Sequence, residues 1–186
     1  MNDEIRALSR QIEALKQQLS EARRRSAPEP VADYQLTASS GEPIALSELF
    51  GEKDDLLVIH NMGRGCVYCT MWADGFASML PHIESRTALV VVSPDEPAIQ
   101  RAFAESRGWP FRMVSAAGTL FSRDLQFADS EGSSLPGVSA LHRNPDGTIV
   151  RTGSDEFGPG DDYSPPWRLF DLLQNGAGDW EPKYGY

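Results

Sequence analysis

Apolar residues recur at alternating steps of three and four along the first 25 residues of the chain. This spacing places them on one narrow stripe of a helix, with charged and Gln positions between, which is typical of a coiled-coil seam. We expect residues 1–25 to form an amphipathic helix that pairs two copies of the chain into a homodimer. The alternative is a helix that lies on its own domain. The stripe consists of Ile5, Leu8, Ile12, Leu15, Leu19 and Ala22.

The next segment, residues 26–33, reads SAPEPVAD and contains two prolines. It predicts a linker that ends the helix. Two short stretches, 34–37 and 43–46, then flank the turn-forming residues at 39–42 and predict a small hairpin. We therefore expect the main domain to span residues 34–186.

The main domain alternates buried-type strands with helical patterns. Residues 56–60 and 88–92 are short apolar runs of the kind found in the middle of a parallel sheet, and a helical pattern follows each. The Asn-Pro-Asp-Gly sequence at 144–147 has type I turn chemistry and predicts a second hairpin. A last helix is expected over 167–173, followed by an aromatic tail that docks on the domain. This order predicts an α/β domain of the thioredoxin-like fold, with a central mixed sheet flanked by helices.

The only two cysteines of the chain, Cys66 and Cys69, lie between the first apolar strand and its helix. A helix N-terminus offers partial positive charge and free backbone N–H groups, both of which stabilise a thiolate. The two intervening residues allow the pair to close a small disulfide. We expect a dithiol redox site in which Cys66 attacks and Cys69 resolves. The first alternative is that the two cysteines are a buried pair with a structural role. The second is a zinc site, which would need two more ligands. The sequence indicates no metal or other cofactor.

Four residues near the cysteines are candidates for supporting roles. His60, six residues before the first cysteine, is interpreted either as the base that deprotonates the second cysteine or as a hydrogen-bonded core residue. Arg64 is expected to lower the thiol pKa, to bind an anionic substrate, or to be a solvated loop charge. Tyr68 is expected to shape the groove around the disulfide, and Trp72 either to line that groove or to belong to the core.

The charge of the chain limits the classes of molecule that we expect it to bind. A formal net charge of −10 disfavours nucleic acid and anionic membrane surfaces. No apolar run approaches the length of a membrane span, and the first residues lack the apolar core of a secretory signal. We therefore expect a location in the cytoplasm, where a Cys-x-x-Cys motif is more often catalytic or metal-binding than a structural bridge. The expected partner is a protein or small-molecule disulfide or oxidant.

A resemblance to a known family is carried by the leading charged helix and by five further blocks of sequence. The blocks are residues 45–50, 65–76, 108–111, 137–139 and 167–173. On these segments the chain resembles the bacterial family called domain of unknown function 899, which is related to the alkyl hydroperoxide reductase and thiol-specific antioxidant group. The resemblance covers nearly the whole chain, and it implies a thioredoxin fold and redox activity.

The chain also departs from better-known relatives. Thioredoxins have an acidic residue at the position of His60 and a cis-proline at a place that falls near Val138 here. We expect the backbone N–H of Val138 to change how a substrate is held in the groove. Peroxiredoxins have a threonine or serine three residues before their reactive cysteine and a proline seven before, where this chain has Gly63 and Ile59. A standard peroxidase is therefore not expected.

The sequence as a whole predicts a thiol–disulfide oxidoreductase that cycles its two cysteines between dithiol and disulfide. One alternative is an atypical peroxide reductase that uses the same pair. The other is a redox-sensing or binding module without turnover, assembled through the N-terminal helix.

Overall fold

The computed structural model describes residues 2–186, which form eight strands and five α-helices. The strands are β1 Glu29–Val31, β2 Gln35–Ala38, β3 Pro43–Ala45, β4 Asp55–His60, β5 Ala88–Ser93, β6 Arg112–Ser115, β7 Gly137–Arg143 and β8 Ile149–Glu156. The helices are α1 Asp3–Arg25, α2 Val67–Glu84, α3 Pro97–Arg107, α4 Phe121–Asp124 and α5 Pro165–Phe170, and a short 3₁₀ helix covers Leu46–Phe50.

All eight strands belong to one mixed sheet in the order β1-β8-β7-β4-β5-β6-β2-β3. The three central strands β4, β5 and β6 are parallel, and β7 pairs antiparallel with β4. Because α2 connects two adjacent parallel strands, it begins at the carboxyl edge of the sheet, directly after β4. The predicted thioredoxin-like fold, including its N-terminal helix, is confirmed.

Successive residues of β4 point to opposite faces of the sheet, since side chains alternate along a strand. Ile59 packs with residues of α2, and we call that side the dithiol face. Val58 packs on the other side, the rear face, with the 3₁₀ helix and with Phe121 and Phe127. The sheet is therefore buried on both sides, which explains the continuous apolar runs of its central strands.

The predicted linker over residues 26–33 is wrong for its middle part. Glu29–Val31 form strand β1, which pairs antiparallel with the first three residues of the chain's last strand, β8. Pro30 is tolerated there because β1 is an edge strand, so one side of its backbone needs no hydrogen-bond partner. Glu29 also binds the buried Arg151 side chain, whose Nε lies 3.1 Å from the carboxylate.

Helix α1 is tied to the domain by two ion pairs, one near its middle and one near its end. Lys16 pairs with Asp162 and Arg23 with Asp155, each at 2.7 Å. No residue of α1 is buried, and the five large apolar residues of the predicted seam are between 50% and 62% exposed. Among residues 2–186, neither α1 nor any other helix combines the length and apolar character that a membrane crossing requires.

Candidate redox site

Cys66 is the N-cap residue of α2, and its sulfur accepts a hydrogen bond from the backbone N–H of Cys69 at 3.1 Å. This bond satisfies one of the N–H groups that the first turn of a helix leaves without an intrahelical partner. The Thr70 hydroxyl donates to the Cys66 carbonyl at 3.0 Å and tightens the same turn. Both cysteines are free thiols; Cys66 is half-buried and Cys69 is buried.

The two thiols differ sharply in acidity. Hydrogen bonds from the Cys69 thiol and from the backbone N–H groups of Cys69 and Tyr68 outweigh burial and lower the pKa of Cys66 to about 6. The bond to Cys66 and burial raise the pKa of Cys69. The pair therefore holds a single negative charge at neutral pH, located on the more accessible sulfur, where a nucleophile is needed.

The loop before Cys66 is held by two acceptor side chains. Asn61 accepts the N–H of Gly63 at 2.8 Å, and Asp95, which follows β5, accepts the N–H of Arg64 at 2.8 Å. Gly63 has φ +97°, and a Cβ built on it would lie 2.9 Å from Asp95 Oδ2. Only glycine fits this position without strain. The carbonyl of Gly63 accepts the N–H of Cys66 at 3.1 Å, so the loop fixes where the reactive cysteine starts its helix.

The structure does not bring His60 to the dithiol. Its side chain lies on the rear face, where the ring stacks on Phe127 with centroids 3.9 Å apart and Nε2 lies 3.0 Å from the Ser139 hydroxyl. Burial and the charge of Arg151 lower the pKa of His60 to about 3, so the ring is neutral. The predicted role of His60 as the base for Cys69 is wrong, because the sheet separates the two side chains. The alternative interpretation, a hydrogen-bonded core residue, describes what the structure shows.

The four predicted groove residues divide between surface and core. Arg64 is exposed beside the dithiol, and Tyr68 is half-buried and stacks on Trp167 with centroids 6.3 Å apart. Trp72 is only 3% exposed and packs against Phe157, so of its two predicted positions, groove and core, the structure shows the core. The helix turns Trp72 inward, one turn after Cys69. Val138 is half-buried on the dithiol face, where it lines an apolar cavity of about 250 Å³.

Sequence reasoning missed the residues that connect the helices beside the site. Asp74, on α2, accepts from Trp109 Nε1 at 2.8 Å and forms an ion pair with Arg107, at the end of α3. Arg107 also donates to the carbonyl of Tyr184 and so ties the C-terminal tail to this network. The Trp and Tyr residues of the tail were the only sequence signal for such contacts. Within residues 2–186, no three His, Cys, Asp or Glu side chains converge to hold a metal ion.

One family matches the chain over nearly its whole length. The family described as "Bacterial protein of unknown function (DUF899)" matches residues 3–184. The chain belongs to this family. No curated protein matches it.

Solved structures similar to this DUF899 member include three proteins named as peroxiredoxins or as a bacterioferritin comigratory protein. Peroxidoxin BcpB from Mycobacterium tuberculosis is 22% identical, over 69% of this chain and 84% of that one, with a TM-score of 0.56. The mitochondrial 2-Cys peroxiredoxin from Plasmodium falciparum is 15% identical, over 70% and 82%, with a TM-score of 0.57. The bacterioferritin comigratory protein from Xanthomonas campestris is 20% identical, over 67% and 80%, with a TM-score of 0.51. At these identities the similarity shows the fold.

Proposed function

We propose that this protein is a thiol–disulfide oxidoreductase that cycles Cys66 and Cys69 between dithiol and disulfide. One observation carries the proposal: the Cys66 sulfur stands at the first turn of α2 and accepts the N–H of Cys69 at 3.1 Å. That geometry favours the thiolate on the sulfur that solvent can reach and keeps the second sulfur one turn away for resolution.

The reaction begins with attack of the Cys66 thiolate on one sulfur of a substrate disulfide, R–S–S–R. A bond forms between Cys66 and that sulfur, the substrate S–S bond breaks, and the first RS⁻ leaves and takes a proton from solvent. Cys69 then attacks the Cys66 sulfur, the mixed disulfide breaks, and the second RS⁻ leaves with the proton that Cys69 gave up. Two electrons pass from the protein dithiol to the substrate. An external dithiol reductant then restores the starting state.

Deprotonation of Cys69 does not require His60 in this scheme. The hydrogen bond to the Cys66 thiolate is the largest cause of the raised pKa of Cys69. Once Cys66 is bound in a mixed disulfide, its negative charge is gone, and the pKa of Cys69 falls. The departing thiolate is then the base that takes the proton.

The decisive experiment compares reduction of a low-molecular-weight disulfide by the unmodified protein, Cys66→Ser and Cys69→Ser. We expect Cys66→Ser to abolish turnover and Cys69→Ser to accumulate a mixed disulfide that mass spectrometry detects. Normal turnover by Cys66→Ser would refute the proposal. Stopped-flow oxidation of the reduced protein by a hydroperoxide tests the peroxide reductase alternative. We expect this protein to react with the hydroperoxide no faster than free cysteine does.

Gly63 argues against the peroxidase alternative. It stands where peroxiredoxins have a threonine or serine, and its positive φ and the nearby Asp95 carboxylate leave no room for a side chain. A hydroxyl group from that position cannot reach a peroxide in this chain.

We further propose that residues 1–25 pair two copies of the chain. The exposed apolar seam on α1 supports this, since a helix seldom leaves such a stripe in water without a partner. A cytoplasmic location stays a prediction from the sequence.

A further inference from the structure

The last residues of the chain return to the dithiol after leaving α5. Trp180 packs against Trp167 and Phe170, with ring centroids 5.3 Å and 4.8 Å away. Pro182, two residues later, is buried although its neighbours on both sides are exposed. Buried proline flanked by exposed residues indicates a segment that lies extended against the domain surface.

Tyr184 anchors the end of this segment beside the cysteines. Its hydroxyl donates to the backbone carbonyl of Arg64 at 3.0 Å, in the loop that leads to Cys66. Its own carbonyl accepts from the Arg107 side chain, and its ring packs edge-on against Phe103, with centroids 6.3 Å apart. Three separate contacts therefore hold one residue of the tail in place.

The tail lies beside the loop that leads to the Cys-x-x-Cys motif and beside an aromatic residue that packs on it. The Tyr184 hydroxyl donates to the carbonyl of Arg64, two residues before the first cysteine. Trp180 packs against Trp167, and Tyr68, the residue of the motif before its second cysteine, stacks on the same Trp167. Residues 180–184 thus lie next to the loop before the motif and next to the aromatic partner of Tyr68.

Polypeptide and small disulfides differ in the free surface that they need around Cys66. A disulfide in a folded or extended polypeptide brings backbone and side chains on both sides of its sulfurs, and these need free surface around the attacking thiolate. A small disulfide needs only a line of approach to the half-buried Cys66 sulfur. The protein's own tail already occupies the surface at the Arg64 side of the motif.

We propose that residues 180–184 exclude polypeptide disulfides from the site and make low-molecular-weight disulfides its substrates, with Tyr184 as the specificity-determining residue. The inference rests on the proposed function, because it assigns a substrate class to the same dithiol. The redox step is the one given above, with two low-molecular-weight thiols as products and an external dithiol as reductant.

The test uses the full chain with single substitutions in the tail. Tyr184→Ala removes the ring and the hydroxyl, and Tyr184→Phe removes only the hydrogen bond to Arg64. Tyr186→Ala is the matched control, since Tyr186 is the same residue type two positions later and is 93% exposed. Each reduced protein is mixed with bis(2-hydroxyethyl) disulfide or with insulin, and the rate of the first turnover is measured.

We expect the unmodified protein to react with the small disulfide and hardly with insulin. Tyr184→Ala should raise the insulin rate by about tenfold or more and change the small-disulfide rate by less than about twofold. Tyr184→Phe should lie between, and Tyr186→Ala should match the unmodified protein. Equal insulin rates in the unmodified protein and Tyr184→Ala would overturn the inference, and so would an equal change with both substrates.

A second measurement separates this inference from the proposed function. Alkylation of Cys66 needs no redox turnover, so iodoacetamide and a maleimide carrying a polyethylene glycol chain can be compared directly. We expect Tyr184→Ala to accelerate the bulky reagent by about tenfold and iodoacetamide much less. If no variant reduces either disulfide, the proposed function fails; if the bulky reagent shows no preference for Tyr184→Ala, the covering role of the tail fails.

Discussion

His60 stacks on Phe127 with ring centroids 3.9 Å apart and an angle of 11° between the ring planes. The stack is on the rear face of the sheet, and the imidazole also shares a hydrogen bond of 3.0 Å with Ser139. A histidine so placed fills the core and orders β4 against β7. It stabilises the strand that delivers Cys66, but it does not touch the sulfur atoms.

We therefore expect His60→Leu to leave the chemistry intact and to weaken the fold. The substitution keeps an apolar group of similar size but leaves the buried Ser139 hydroxyl without its partner, at a cost of about 1–3 kcal/mol in the free energy of unfolding. Urea denaturation measures that cost, and Ser139→Ala, which loses the same hydrogen bond, is the matched control. The rate at which Cys69 resolves a mixed disulfide should stay within about threefold. A loss of a hundredfold or so in a folded protein would restore His60 as the base.

The acidity of Cys66 predicts a specific pH profile for its reactivity. Its pKa of about 6 lies below the ordinary thiol value, so the rate of alkylation by iodoacetamide should rise from pH 5 and level off near pH 7. At pH 7 about 90% of Cys66 is then thiolate. Cys69→Ala removes the largest cause of the lowered pKa, the hydrogen bond from the Cys69 thiol, and should move the midpoint to higher pH. A midpoint near pH 8.5 in the unmodified protein would contradict the assignment of the thiolate.

The loop before Cys66 should tolerate alanine at Gly65 but not at Gly63. Gly63→Ala forces a side chain into a positive-φ conformation and to 2.9 Å from Asp95 Oδ2, with an expected loss of about 1–3 kcal/mol in stability and slower alkylation of Cys66. Gly65→Ala is the control, because a Cβ there meets nothing within 4 Å and its φ is not positive. Chemical denaturation and the alkylation rate measure both effects. Equal behaviour of the two variants would show that Gly63 is not needed to place the reactive cysteine.

Local sequence signals sufficed for the part of the fold that carries the dithiol. The apolar run 56–60, the Cys-x-x-Cys motif and the amphipathic pattern after it are neighbours in the chain, and their geometry depends mostly on strand and helix propensity. The structure has β4 at Asp55–His60, close to the predicted 56–60, and the helix predicted to follow it is α2, Val67–Glu84. The position of Cys66 at the N-cap of α2 follows from these local signals.

Other features depend on partners that are far away in the sequence. Strand β1 is three residues long, contains a proline, and exists because β8 offers it an edge about 120 residues later. His60 lies on the rear face because side chains alternate along a strand. It shares that face with Val58, whereas Ile59 faces α2. The spacing of six residues from Cys66 does not contain that information. The aromatic tail predicts docking, but the carbonyl of Arg64 and the side chain of Arg107 that bind Tyr184 could not be read from it.

The exposed seam of α1 predicts that self-association depends on apolar side chains at every third and fourth position. Leu8 and Leu15 are 52% and 62% exposed, so replacing both with Glu costs the isolated chain little and removes the apolar contact between two helices. We expect the unmodified protein to sediment as a dimer and the double variant as a monomer. The matched control is Ala14→Glu with Gln17→Glu, which adds the same two charges to the same helix outside the seam and should stay dimeric. A double seam variant that remains dimeric would show that α1 is not the interface, and a monomeric unmodified protein would show that the seam has no partner in a second copy.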